Sequence, residues 1–338
     1  MAFHERMPRL PAEVLRGCLI AAVYYGSARL GLLQELVRGQ VTPLWPPTGI
    51  ALVCLLWWGP RACPGIAAGA LWTNLTIGPS TVAVLGIVAG NTAAPVCAWL
   101  LLRWAGFRTE LDRLRDALAM VFLAAMVSML VSATVGTGTL VLADAVPHGE
   151  FWPAWSVWWT GDAMGVLLVA PFLLVLRALP DLWAGNPLRR VPWYRWAEAA
   201  ALLAVTTAVT LVATRSAINL LFLVLPCLIW AAFRFRLAGA APCSLLVSVL
   251  VVDAAADGAG PFEDHGLAGQ MLTLQAFNGT VSMTALLLSA VVTERNRTHL
   301  EIAYVCGLLA KAVTGLVPEE EEVRRPPPPA GEDTRPGA

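Results

Sequence analysis

Ten stretches of this chain are almost wholly apolar: residues 14–33, 42–59, 64–79, 81–102, 117–142, 154–176, 197–214, 217–233, 237–253 and 268–292. A helix needs about 20 such residues to cross the hydrocarbon core of a bilayer, with a range of roughly 17–25. Only 14% of the 338 residues are charged, and 57% are apolar. Soluble domains carry about 25% charged residues, so this chain cannot cover a globular surface. That excludes a secreted enzyme, a cytosolic enzyme and a disordered scaffold. The fold class expected is all-α, a polytopic transmembrane helix bundle of about ten spans. The formal net charge is +0, which gives no basic excess for a nucleic-acid partner.

Arginine placement tests the span count independently, because Lys and Arg are retained on the cytoplasmic side. With the N-terminus inside, the inner loops hold Arg6, Arg9 and Arg16; Arg61; Arg103, Arg108, Arg113 and Arg115; Arg177, Arg189, Arg190 and Arg195; Arg234 and Arg236; Arg295 and Arg297. The outer loops hold only Arg38 and Arg215, and their long members carry Asp144, Glu150, Asp257, Glu263 and Asp264. A wrong count would scramble this alternation. Both termini are therefore expected in the cytoplasm and the chain in the plasma membrane. Span 14–33 holds Arg16 and Arg29 and is the least regular. Spans 42–59 and 64–79 are short and rich in Gly and Pro. If those two formed one re-entrant hairpin, parity would survive, but Arg61 would sit at membrane depth, which is costly.

Seven cysteines are scattered through apolar runs with no C-x-x-C pair and no His at metal spacing, so no metal, cofactor or disulfide is expected. No cleavable signal peptide is read at the N-terminus. Three G-x-x-x-G pairs (Gly65/Gly69, Gly86/Gly90, Gly161/Gly165) let helices approach closely. They admit a homodimer seam, but packing within one chain is favoured when ten helices must pack. Pro95, Pro171 and Pro226 lie inside spans and predict kinks. A weak internal likeness links Arg61, Asn74, Gly78-Pro79 and Asn91 with Arg234, Asp253, Gly260-Pro261 and Asn278. Its spacings differ, and chance is preferred over duplication.

Two segments carry chemistry. In Leu44–Asn74, Pro46 and Pro47 suit a first helical turn, Trp45 suits an interface, and Asn74 puts an amide inside a span. In Phe151–Leu176, the helical period puts Trp155, Trp158, Trp159, Asp162 and Gly165 on one face. Asp162 lies ~10 Å below the outer end of its span by helix rise. A carboxylate there is expensive unless paired or protonated. Arg29 is at similar depth and is expected to pair with it. The candidate ligand-binding residues are Trp45, Asn74, Asn91, Trp155, Trp159 and Asp162, lining an outward-facing cleft. The tryptophans suit an interfacial belt or an aromatic wall for a ligand, a cation among the choices. Arg234 and Arg236 read as topology signals, and the His148 and His265 loops as solvated.

Taken in order, LWPPTGIAL (Leu44–Leu52), the glycine- and proline-rich run Gly59–Gly69, the W-x-x-W-W-x-G-D-x-x-G run Trp155–Gly165 with Pro171, Trp230–Arg234, Gly260-Pro261-Phe262 and Thr293-Glu294-Arg295 resemble the membrane-associated sensor family of the first type (MASE-one). The resemblance spans roughly residues 12–297. It implies an integral membrane sensory module of bacterial signalling proteins, of eight to ten helices, coupled to a cytoplasmic output, and it supplies no ligand. The domains expected are 1–297, the sensor-like transmembrane domain; 298–318, a juxtamembrane amphipathic helix; and 319–338, a disordered acidic and Pro-rich tail. No cyclase, phosphodiesterase or kinase motif follows the last span, so an enzyme is not expected. The reading is a sensor for an unknown small ligand or membrane state. Its partners would be the lipid bilayer and a separate cytoplasmic signalling protein. A small-solute transporter or a transporter-associated binding subunit is the alternative, since short Gly/Pro-interrupted spans also suit transporters.

Overall fold

The computed structural model describes residues 9–33, 42–184, 192–216, 218–262 and 267–316, and every regular element among them is helical. Arg6, Arg38, Arg189, Arg190, Glu263, Asp264, His265 and the tail 319–338 lie outside the described residues. The chain divides into two units, Met1–Glu294 and Arg295–Ala338.

The helices are α1 (Arg9–Leu32), α2 (Pro46–Trp58), α3 (Cys63–Ile77), α4 (Thr81–Trp104), α5 (Leu114–Ala119), α6 (Met129–Leu142), α7 (Phe151–Met164), α8 (Ala170–Ala184), α9 (Trp193–Arg215), α10 (Val224–Phe235), α11 (Leu237–Ala256) and α12 (Leu267–Leu316). A π-helical stretch, Met120–Val127, joins α5 to α6, and another, Gly165–Val169, joins α7 to α8. Among the described residues, seven helical segments are long and apolar enough to cross a membrane: Pro46–Ile77, Thr81–Trp104, Leu114–Leu142, His148–Ala178, Trp193–Arg215, Leu237–Ala256 and Gly269–Ala312. Leu221–Phe235 is a shorter apolar helix.

The first of those segments is not one rod. Gly65 of α3 lies against Gly17 and Ile20 of α1, and Gly69 lies against Ala21 and Tyr24, so α1 and α3 run parallel. The end of α2 meets the start of α1, where the Arg16 guanidinium sits 5.7 Å from the Trp58 ring. The chain therefore reverses between α2 and α3, at Gly59, whose φ of 62° suits a residue without a Cβ. By rise per residue α2 and α3 are only ~20 Å long each, short of the ~30 Å hydrocarbon core.

The solvent-facing pattern is inverted relative to a soluble protein. Leu19, Val82, Leu85, Val212 and Phe222 are exposed, while Asn91, Ser132, Thr137, Asp162 and Asn278 are buried. Lipid cannot satisfy polar groups, so they turn inward, and the apolar side chains face the chains of the bilayer. One apolar core gathers Leu52, Leu102, Met120, Met129 and Leu168; another gathers Leu228, Val247, Val251, Phe262 and Leu274.

All three G-x-x-x-G pairs face neighbours in the same chain: α3 on α1, Gly86 and Gly90 of α4 on Thr139 and Val135 of α6, and Gly161 and Gly165 on the segment Thr42–Gly49. Of the three prolines expected to kink helices, Pro95 lies inside α4, and Pro171 lies inside the continuous segment His148–Ala178, two residues past its π-helical stretch. Pro226 falls in the first turn of α10, where proline removes no needed donor. Arg236 repeats the backbone of Gly59: φ 56° and ψ −144° against φ 62° and ψ −151°. Both residues sit between a short apolar helix and a small-residue-rich one.

Candidate ligand-binding site

The site forms where the entry to α2 meets α7. Thr42, Pro43 and Leu44 are buried and non-helical, held by the Thr42 hydroxyl donating to the Leu44 carbonyl at 2.9 Å. The Trp45 amide donates to the Gly161 carbonyl at 3.0 Å. This contact of two backbones is possible because α7 presents glycine. A Cβ on Gly161 would strike the Thr42 carbonyl oxygen, and one on Gly165 the Trp45 carbonyl oxygen. Gly49 completes the seam, since its own Cβ would strike the Gly165 carbonyl oxygen.

The seam places Thr48 beside Asp162. Asp162 is 1% exposed, and the Thr48 hydroxyl donates to its Oδ1 at 2.5 Å. Its other polar neighbours are Ser132 and Trp158, both neutral. Asp162 Oδ2 is buried and has no hydrogen-bond partner. A second chain of bonds closes the far wall. The Trp158 indole Nε1 donates to Ser132 Oγ at 3.2 Å, and the Ser132 hydroxyl donates to Asn91 Oδ1 at 2.8 Å. Tyr24, 1% exposed, faces Trp45, Asn91 and Asp162, and its hydroxyl closes no hydrogen bond. Between these walls is a small cavity of about 30 Å³, lined by Thr42, Trp45, Asn74, Ile77, Asn91, Trp158, Gly161 and Asp162. That is room for one or two waters or one small ion.

Four residues expected at the site, Trp45, Asn74, Asn91 and Asp162, line this cavity. Trp155 and Trp159 do not. They stack on each other with centroids 5.9 Å apart and bond to the neighbouring helical segment: Trp155 Nε1 to Thr134 Oγ1 at 3.0 Å, and Trp159 Nε1 to the Met126 carbonyl at 2.8 Å. The π-helical stretch explains the second bond. The Ser128 amide and hydroxyl both reach back five residues to the Leu123 carbonyl, at 3.1 and 2.7 Å. Such wide winding leaves carbonyls available to outside donors.

The expected Arg29–Asp162 ion pair is corrected by the structure. Asp162 is buried, whereas Arg29 is exposed. Arg29 follows the buried Ala28 on the outward side of α1, and a long cationic side chain on a lipid-facing helix end extends toward water rather than inward. Thr48, Ser132, Tyr24 and Trp158 were not marked as site residues by sequence reasoning. Trp158 carried the signal, one turn before Asp162 on the same face. The hydroxyls carried none, since Ser, Thr and Tyr are ordinary in such spans.

Among the described residues, no group of three or more His, Cys, Asp or Glu could hold a metal ion, and the seven cysteines are free. The family model described as MASE1 matches residues 16–296, most of the chain. No curated protein and no solved structure matches it.

Proposed function

Because the chain belongs to the MASE1 family of membrane-associated sensor domains, we propose that it detects a small ligand at the Asp162 cavity of a multi-pass plasma-membrane module. Occupation of the cavity favours one packing of the helices that wall it, α3, α4, α6 and α7. A ligand shifts such an equilibrium only through differential affinity for the two packings. The exit helix α12 passes the shift to a cytoplasmic signalling partner. The observation that carries this reading is the buried Asp162 carboxylate with one oxygen bonded to Thr48 and the other unpartnered beside a cavity. Ionisable groups at membrane depth mark functional sites by default.

The same reading has ten passes with both termini in the cytoplasm. It is supported by the end of the bundle opposite the cavity. There Arg16 sits over Trp58, Arg103 over Trp99 and Arg177 over Trp57, with 4.7–5.7 Å between guanidinium and ring centre. These arginines come from the inner ends of the first, fourth and sixth spans of that count, as cytoplasmic retention requires. Reporter fusions at residues 40, 145 and 259 should report the outer face, and fusions at 108, 188 and 297 the inner.

Deleting residues 298–338 should leave membrane insertion intact and abolish signalling to the partner. Unchanged signalling would reject the coupling route. The transporter reading draws on the two short helices and the non-helical Thr42–Trp45 segment at the cavity, since broken helices frame transporter sites. Solute uptake into proteoliposomes would favour it.

A further inference from the structure

The hydrogen-bond inventory of the cavity says what kind of ligand it suits. Five donors at the site are engaged within its own walls. Thr48 donates to Asp162, Thr42 to the Leu44 carbonyl, Ser132 to Asn91, and Trp158 to Ser132. The Asn74 amide nitrogen donates to the Ala70 carbonyl at 2.8 Å, which leaves its carbonyl oxygen to the cavity. Two acceptors remain open: Asp162 Oδ2, without a partner, and the Asn74 oxygen.

Charge points in the same direction. The groups around Asp162 are neutral, and Arg29 does not reach it. A buried carboxylate without a counter-charge is strongly disfavoured. The rings of Trp45 and Trp158 line the space in front of it, and aromatic faces attract cations. An anion would meet the unpartnered carboxylate oxygen.

We infer that the Asp162 cavity binds a small monovalent cation, either a dehydrated alkali ion or an ammonium group of ammonium or a primary amine. This rests on the sensor reading only for its biological use; the binding itself is independent of it. A space of about 30 Å³ suits an ion or one ammonium head.

The test uses the full chain in lipid nanodiscs and follows tryptophan fluorescence and thermal unfolding at fixed ionic strength. Sodium, potassium, ammonium and methylammonium chlorides are titrated against N-methylglucamine chloride. At least one of the four should give a saturable response that N-methylglucamine does not. The alkali and ammonium series separate the two sources. Asp162→Asn should weaken that response at least tenfold. Asn74→Asp, which adds a second carboxylate to the wall, should strengthen it at least tenfold and keeps the test decisive should Asp162→Asn fail to fold. Responses no different from N-methylglucamine at every pH from 5 to 9, or a weaker response in Asn74→Asp, would overturn the inference. A flat titration with partner signalling still altered by Asp162→Asn would overturn the cation and leave the sensor reading standing. Cation binding with signalling unaffected by either variant would support the cation and remove the sensor reading.

Discussion

The runs α2–α4 and α10–α12 use the same backbone plan for different interiors. Each has a short apolar helix, a positive-φ reversal at Gly59 or Arg236, a small-residue-rich helix, a Gly-Pro turn and a helix with a buried asparagine. In the first run that asparagine, Asn91, accepts from Ser132 and lines a cavity with Asp162. In the second, Asn278 is fully buried, and neither its amide nitrogen nor its oxygen finds a partner among the described residues. The difference lies in what packs alongside. The first run meets α6 and α7, which bring Ser132, Trp158 and Asp162. The second packs its own helices together, through Leu228 of α10, Val247 and Val251 of α11 and Leu274 of α12. One plan thus serves as the wall of a polar site or as an apolar core, depending on the neighbours supplied.

The largest test of this contrast is glycine. Gly165→Val should abolish recovery of monodisperse protein, with a loss of about 3 kcal/mol or more, because the new atoms meet main chain that cannot yield. Gly279→Ala, one residue after the second asparagine, meets nothing within 4 Å and should leave the melting temperature unchanged. Next come the asparagines themselves. Asn91→Leu should destabilise by about 1–3 kcal/mol by stranding the Ser132 hydroxyl. Asn278→Leu should be neutral or stabilising, since no bond is lost. Equal losses in thermal unfolding would erase the distinction. Trp159→Phe should cost about 1 kcal/mol through the lost bond to the Met126 carbonyl and should leave any cation response intact. The smallest effect is expected at the far end of the second run, in α12. The Glu294 carboxylate accepts from the Leu114 amide at 2.8 Å, capping α5 from a distant part of the sequence. Glu294→Ala should cost about 0.5 kcal/mol, the low end for an exposed cap, and speed hydrogen exchange at that amide.

Sequence made the helices legible because hydropathy and arginine placement answer to one cause, the bilayer. It marked Trp45, Asn74, Asn91 and Asp162, which line one cavity, because a polar group at membrane depth is costly enough to stand out. It erred on Trp155 and Trp159 because α7 touches two neighbours. The arc that looks like one face on a helical wheel is split, with Trp158 and Asp162 toward the cavity and Trp155 and Trp159 toward the π-helical segment. It erred on Arg29 because opposite charge and similar depth say nothing about azimuth around the helix. The reversal at Gly59 was foreshadowed only by the shortness of its flanking spans.

The junction of residues 42–49 with residues 161–165 has a further consequence. It is carried by carbonyl oxygens resting on glycine, with no methyl or methylene to trim. Selection can tune an ordinary helix contact in small steps by exchanging alanine, valine and leucine. Here the first step is already a collision, so diversification around the carboxylate must proceed through Tyr24, Asn74 and Trp158, leaving this joint as it stands.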